Sequence, residues 1–213
     1  MPEHIIVKSG GEGLYEEKKS RFIARVYSVG NESEAAAHID AARKKYWDAR
    51  HNCYAFVIGE NNELTRCSDD GEPSGTAGKP ILEVISGAGI HNCLVIVTRY
   101  FGGTLLGTGG LVRAYTKAAK EALSDSALAR VLPGVLYRVV TDYNGVGKVQ
   151  YAAASLDAEI RDSVYSDKVE LAVAVKADMG ERLCAAITEN TNGRAVIAKD
   201  CDLPIEIKYD MEI

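Results

Sequence analysis

One segment constrains this chain more than any other: the apolar run Cys93–Thr98 (CLVIVT) passes through RYFGGTLLGTGGLVR into a second, differently spaced apolar pattern. The run is short, continuous and rich in β-branched residues, which predicts a buried strand. Beyond the loop, Leu111, Tyr115, Ala118 and Ala122 recur at helical spacing and predict a helix with one buried face. Between strand and helix lie Gly102, Gly103, Gly107, Gly109 and Gly110, which free the backbone for positive φ and close approach. A helix beginning near Gly109 aims free amides and its positive dipole end at the loop, so an anion site is expected there.

The common nucleotide-binding patterns do not fit this loop. Gly102 and Gly107 have Walker spacing, but Thr108-Gly109 stands where Lys-Ser/Thr is required. Gly107-Thr108-Gly109 opens a dinucleotide pattern, but Val112 takes the place of its last glycine. Neither an ATPase nor a Rossmann dehydrogenase is supported. Basic residues accompany the loop instead. Arg113, Lys117 and Lys120 lie four and three apart on one face of the helix, and Arg99 enters the loop from the strand. Together they can neutralise several phosphates. The competing reading is a solvated helix face on which Glu121 pairs with Lys117.

Two further segments carry candidate chemistry. In Cys67–Pro80 (CSDDGEPSGTAGKP), Asp69, Asp70 and Glu72 can gather a divalent cation, salt-bridge Arg99 or Lys79, or cap amides of a tight loop. The regular further ligands of a calcium loop are missing, and capping is the expected role. His51-Asn52-Cys53 and His91-Asn92-Cys93 each open a buried strand, and on paper offer zinc four ligands. The expected role is structural: the cysteine fills core and the His-Asn pair bonds loop backbone at the end of the sheet. A hydrolase assembled from Ser68 or Ser74, His51 and an aspartate lacks any nucleophile motif. No metal, cofactor or catalytic constellation is expected.

The chain falls into two predicted domains, 1–130 and 135–213, separated at Leu132-Pro133-Gly134, which reads as a turn. Charge divides with them. The overall net charge is −5, yet residues 1–130 carry 16 basic and 16 acidic side chains while residues 131–213 carry 9 and 14. If the protein meets a polyanion, the first half is expected to do so. In that half, Arg21–Val29 reads as an edge or half-buried strand, Asn31 as the cap of a helix, Cys53–Ile58 as a buried strand, and Leu64–Cys67 as a shorter one. The second half reads as βαβ twice, a ferredoxin-like pattern, with Asp142 and Asp178 placed to cap helices. Tyr143, Tyr151 and Tyr165 are expected to pack rather than to form a stacking platform. The five cysteines follow no ligand or disulfide pattern, no signal peptide is visible and no apolar run spans a membrane, so a cytoplasmic protein with reduced thiols is expected.

His51-Asn52, Ser68-Asp-Asp-Gly-Glu-Pro73, Gly75-Thr-Ala-Gly-Lys-Pro80, Asn92, Arg99-Tyr-Phe-Gly-Gly103, Leu105, Gly107, Gly109-Gly-Leu111 and Arg113-Ala-Tyr115 together resemble the signature of the IMPACT/YigZ family. The likeness runs in order through the whole first half; the second half is similar to the smaller C-terminal domain of the bacterial members. It implies an α+β protein whose N-terminal left-handed βαβ domain resembles domain IV of elongation factor G. It further implies a ferredoxin-like βαββαβ C-terminal domain resembling domain V of the same factor. An extra N-terminal RWD domain found in eukaryotic members has no counterpart here, so their kinase-pathway partner is not expected to carry over.

The same resemblance implies a translation-associated regulatory role with RNA or the ribosome as partner, a protein partner as a further option, and no firmly attached enzymatic activity. Arg99, Gly102, Gly103, Gly107, Gly109, Gly110, Arg113, Lys117 and Lys120 are the expected nucleic-acid or anion-binding residues. His51, Asn52, Asp69, Asp70, Glu72 and Thr76 are read as a structural or ligand-holding loop. The alternative is a protein or enzyme that binds a small phosphorylated ligand or nucleotide on Gly102–Gly110, with Asp69, Asp70 or Glu72 recruiting magnesium.

Overall fold

Strand alternation builds the first sheet. In the computed structural model, which describes residues 3–211, the run beginning at Cys93 is a fully interior strand. Its Cys93, Val95 and Val97 join one buried cluster while Leu94 and Ile96 join another, so the strand is covered on both faces. Eleven strands and five α-helices are formed among the described residues: β1 (His4–Ser9), β2 (Glu12–Glu17), β3 (Ser20–Ser28), α1 (Glu32–Lys45), β4 (His51–Ile58), β5 (Leu64–Ser68), α2 (Gly78–Gly87), β6 (Ile90–His91), β7 (Cys93–Tyr100), α3 (Gly107–Ser124), β8 (Ala127–Thr141), α4 (Val146–Ala154), β9 (Glu159–Tyr165), β10 (Val169–Lys176), α5 (Gly180–Thr191) and β11 (Val196–Tyr209). They divide into two units, residues 4–130 with 208–211, and residues 131–207.

In the first unit, β2-β3-β7-β4-β5 form a five-stranded antiparallel sheet. Helices α2 and α3 cover one face through Ile81, Ile85, Leu111, Tyr115 and Ala118. Helix α1 covers the other through Ala35, Ile39 and Ala42 against Phe56, Leu94 and Ile96. Asn31 caps α1, its Oδ1 accepting from the Glu34 amide at 2.9 Å. Both β3 and β4 run antiparallel to β7 between them, hence parallel to each other, and α1 connects them as a βαβ unit. The strand around Phe22 is not an edge. β2, whose polar sequence EGLYEE carries little strand signal, pairs along its outer side.

The second unit has the strand order β11-β8-β10-β9 with α4 and α5 packed together, the ferredoxin-like arrangement. Three expectations fail here. Leu132-Pro133-Gly134 does not turn; it lies inside β8, where Gly134 pairs with Lys176. A Cβ on Gly134 would stand 2.2 Å from Ile205 Cγ1, so this glycine serves close approach to β11. Tyr143, Tyr151 and Tyr165 do not pack; all three are more than half exposed, with Tyr143 and Tyr165 rings 6.3 Å apart. Asp142 does cap, its Oδ1 accepting from the Gly145 amide at 2.7 Å; Asp178 stands in a 3₁₀ turn before α5 that shows no side-chain cap.

Candidate functional site

The glycine loop is shaped by steric demands that differ from glycine to glycine. Gly103 (φ +85°) and Gly107 (φ +72°) occupy the left-handed region. A Cβ on Gly102 would stand 2.1 Å from the Lys19 carbonyl carbon, so the loop lies directly on the β2–β3 turn. α3 starts at Gly107, two residues earlier than the pattern suggested, which places Gly109 and Gly110 within its first turn. That turn has no side-chain cap and no acidic residue. Its free amides and the positive end of the helix dipole are therefore left to other partners.

Beneath the loop lies a buried polar network. Arg99, only 5% exposed, donates from Nη1 to Glu72 Oε1 at 2.7 Å. Its guanidinium sits 5.4 Å from the Phe22 ring centre and 5.6 Å from that of Phe101. The Tyr115 hydroxyl also donates to Glu72 Oε1, at 2.8 Å, and receives Cys53 Sγ at 3.3 Å. Burial first, then Cys53 and Glu72, drive the Tyr115 hydroxyl far above its ordinary pKa; burial does the same for Cys53 and pushes Cys93 up to about 12. These groups remain protonated at neutral pH. Arg99 was expected to face phosphate with the helix cations. Instead its charge is matched by Glu72, 27 residues away in sequence, and the side chain is withdrawn from the surface.

Each of the three loop carboxylates bonds protein groups. Asp69 Oδ1 accepts from the Ala77 and Gly78 amides, both at 2.9 Å, and Oδ2 from Gly75 at 2.8 Å. Burial works to raise the Asp69 pKa, but those amides outweigh it and hold the carboxyl below the usual range. Asp70 Oδ2 accepts from the Asn52 amide at 2.7 Å and Oδ1 from Arg43 at 3.1 Å. Thr76 Oγ1 donates to the Pro73 carbonyl. Asn52 is buried, its Oδ1 accepting from Thr98. A magnesium ion at Asp69 would have to displace three amide bonds.

The two His-Asn-Cys tripeptides stand at opposite ends of the sheet, because each opens one of two antiparallel neighbours; Cys53 pairs with Val97, and Cys93 with Val57. They cannot share one metal ion. Each histidine bonds loop backbone instead, His51 Nδ1 at 2.8 Å from the Asp70 carbonyl and His91 Nδ1 at 3.1 Å from that of Gly59.

The cationic stripe divides. Arg113 and Lys117 border a cleft of about 230 Å³ together with Gly110, Tyr15, Lys18 and one carboxylate, Glu17, which accepts from the Tyr15 hydroxyl; the Lys117 ammonium lies 5.0 Å from the Tyr15 ring centre. Lys120 borders a different cavity, with Glu83 and Tyr209. No ion pair between Glu121 and Lys117 forms among the described residues. Lys18 (φ +46°), in the β2–β3 turn, is the site residue the sequence reading missed. The Lys18-Lys19 pair was its one visible signal, and nothing in the spacing links it to α3.

Comparison with known proteins follows the same division. The Impact N-terminal domain family matches residues 18–123, and a domain of unknown function (DUF1949) matches residues 139–194. The IMPACT family member YvyE of Bacillus subtilis is 38% identical over 198 residues, covering 92% of this chain and 91% of its own. YigZ of Escherichia coli, also an IMPACT family member, is 36% identical over 178 residues, covering 83% and 87%. Protein IMPACT of Danio rerio is 33% identical over 110 residues, 49% of this chain and 34% of its own. A crystal structure of a hypothetical protein, 34% identical, superposes with a TM-score of 0.59 over 92% of this chain and 97% of that one.

Proposed function

The chain belongs to the IMPACT family, and on that premise we propose that it is a translation-associated regulatory protein that binds RNA or the ribosome through its N-terminal domain. One observation carries the reading. Lys18, Arg113 and Lys117 converge beside the bare Gly109-Gly110 turn, and none of them makes an ion pair among the described residues. Unpaired cations beside an uncapped helix start form a surface suited to successive phosphates. Aromatic Tyr15 within the cleft adds a face on which a base or ribose can rest. Such a protein works in the cytoplasm; no helix of the described residues is long and apolar enough to cross a membrane.

Sedimentation with ribosomes across a salt series tests this reading. Binding is expected to fall linearly with log salt, and Arg113→Glu with Lys117→Glu to abolish it at intermediate salt. Replacing either residue by Ala should reduce the salt slope by about one unit per lost phosphate contact. Unchanged sedimentation of the double charge reversal would sink the proposal.

A further inference from the structure

Another cavity, of about 400 Å³, borders the glycine loop and shares only Leu106 with the lining of the cationic cleft. Its size is that of a pocket for a small molecule. Pro73, Phe101, Leu105 and Leu111 supply apolar wall, while His51, Glu72, Arg99 and Thr108 supply polar wall.

The charges of this wall do not cancel. Arg99 and Glu72 neutralise one another at 2.7 Å. What remains is Arg50 at the rim, which makes no ion pair among the described residues, and the start of the 18-residue α3. Gly107 and Thr108 of that uncapped turn border the cavity, so its field favours an anion. One polar atom on the wall also lacks a hydrogen-bond partner among the described residues. His51 faces a carbonyl through Nδ1, and a carbonyl only accepts, so in the neutral ring the hydrogen sits on Nδ1 and Nε2 offers a lone pair. Glu72 Oε1 stands 3.9 Å from Nε2, too far for a hydrogen bond.

We propose that this cavity binds a small organic anion, a carboxylate or phosphate monoester with an apolar body. The anionic group sits at the Gly107-Thr108 amides near Arg50, and the body lies against Phe101 and Leu111. A hydroxyl or amine on the ligand donates to His51 Nε2. Arg113, Lys117 and Lys18 do not line this cavity, although the start of α3 borders both it and the cationic cleft.

The test is an amide-resolved NMR titration of the full chain with benzoate, phenyl phosphate and phenol at millimolar concentration. Saturable shifts at Gly107–Gly110 are expected with at least one of the two anions and not with phenol. The stronger of the two identifies the head group. Thr108→Asp separates site from scaffold: a carboxylate in the first turn of α3 favours the helix, so the melting midpoint should hold or rise. The same charge should weaken anion binding by about tenfold or more, since like charges a few ångströms apart repel by several kcal/mol at a protein surface. Absence of saturable shifts with both anions, equal binding of phenol, or unchanged affinity in Thr108→Asp each overturns the proposal.

Discussion

Arg99 shows how a residue can be located correctly and its surroundings still be misjudged. Its place at the end of a buried strand and the start of a glycine loop is plain in the sequence. Its partner is legible only as one of several: Asp69, Asp70 and Glu72 are all read as able to pair with Arg99, and no spacing rule singles out Glu72, 27 residues away. Burial makes the pair costly to break: removing one charge strands the other in a site closed by Phe22, Phe101 and Tyr115. Glu72→Gln is therefore expected to destabilise the protein by about 3–5 kcal/mol, read from urea unfolding. The double variant Glu72→Gln with Arg99→Met should lose less than the sum of the two single variants. Asp69 gives a test by pH. Its folded pKa is depressed, so its contribution is complete above the ordinary carboxylate value of 3.8 and fades as pH falls through the lower folded value. Asp69→Asn should lower stability at neutral pH and flatten the acid limb of a stability-against-pH curve. An unchanged acid limb would mean that the three amides do not hold the charged form preferentially.

At the scale of elements, the strand from Cys93, the helix capped at Asn31 and the two βαβ units of the second half were all legible. Each buries a face whose period shows in the residues themselves. One element was not legible and two were legible over only part of their length, for separate reasons. β2 carries four polar residues in EGLYEE and owes its place to pairing with β3. β8 continues through Pro133-Gly134 because β11 requires close approach there, a tertiary demand written as a turn signal. β11 begins at Val196, but the acidic stretch around Asp200 and Asp202 conceals its first half; Arg138, reaching Asp200 at 3.1 Å, accounts for part of that acidity. The glycine loop divides just as sharply, and predicts opposite signs for similar substitutions. Gly102→Ala must displace the Lys19 backbone and should be strongly destabilising. Gly109 meets nothing closer than Arg113 Nη1 at 4.0 Å and has helical backbone. Gly109→Ala should stabilise by up to about 1 kcal/mol through helix propensity. Thermal unfolding of the two variants checks the contrast. If both destabilise, the first turn of α3 is more crowded than its geometry indicates.

The charge of the whole molecule opposes the proposed partner, and that opposition has a testable range. Residues 131–213 hold all of the net −5, while the cationic cleft lies within residues 15–117 of the neutral half. Repulsion between carboxylates outside the cleft and RNA decays over the Debye length, about 30 Å at 0.01 M salt and about 8 Å at 0.15 M. Direct phosphate contacts, by contrast, persist at both salt concentrations and set the slope. Asp178 and Glu189 are exposed carboxylates of the second half that make no ion pair among the described residues. Neutralising them as Asp178→Asn and Glu189→Gln should raise RNA affinity at 0.01 M salt and leave it unchanged at 0.15 M. Arg113→Glu with Lys117→Glu should lower affinity at both. Fluorescence anisotropy with a labelled single-stranded RNA measures all of these values on one instrument and one ligand. A gain from the neutralised pair that survives at 0.15 M would place these carboxylates within one screening length of the bound RNA. The second half would then shape the binding surface directly, and its acidity would act as a local filter on which phosphates approach.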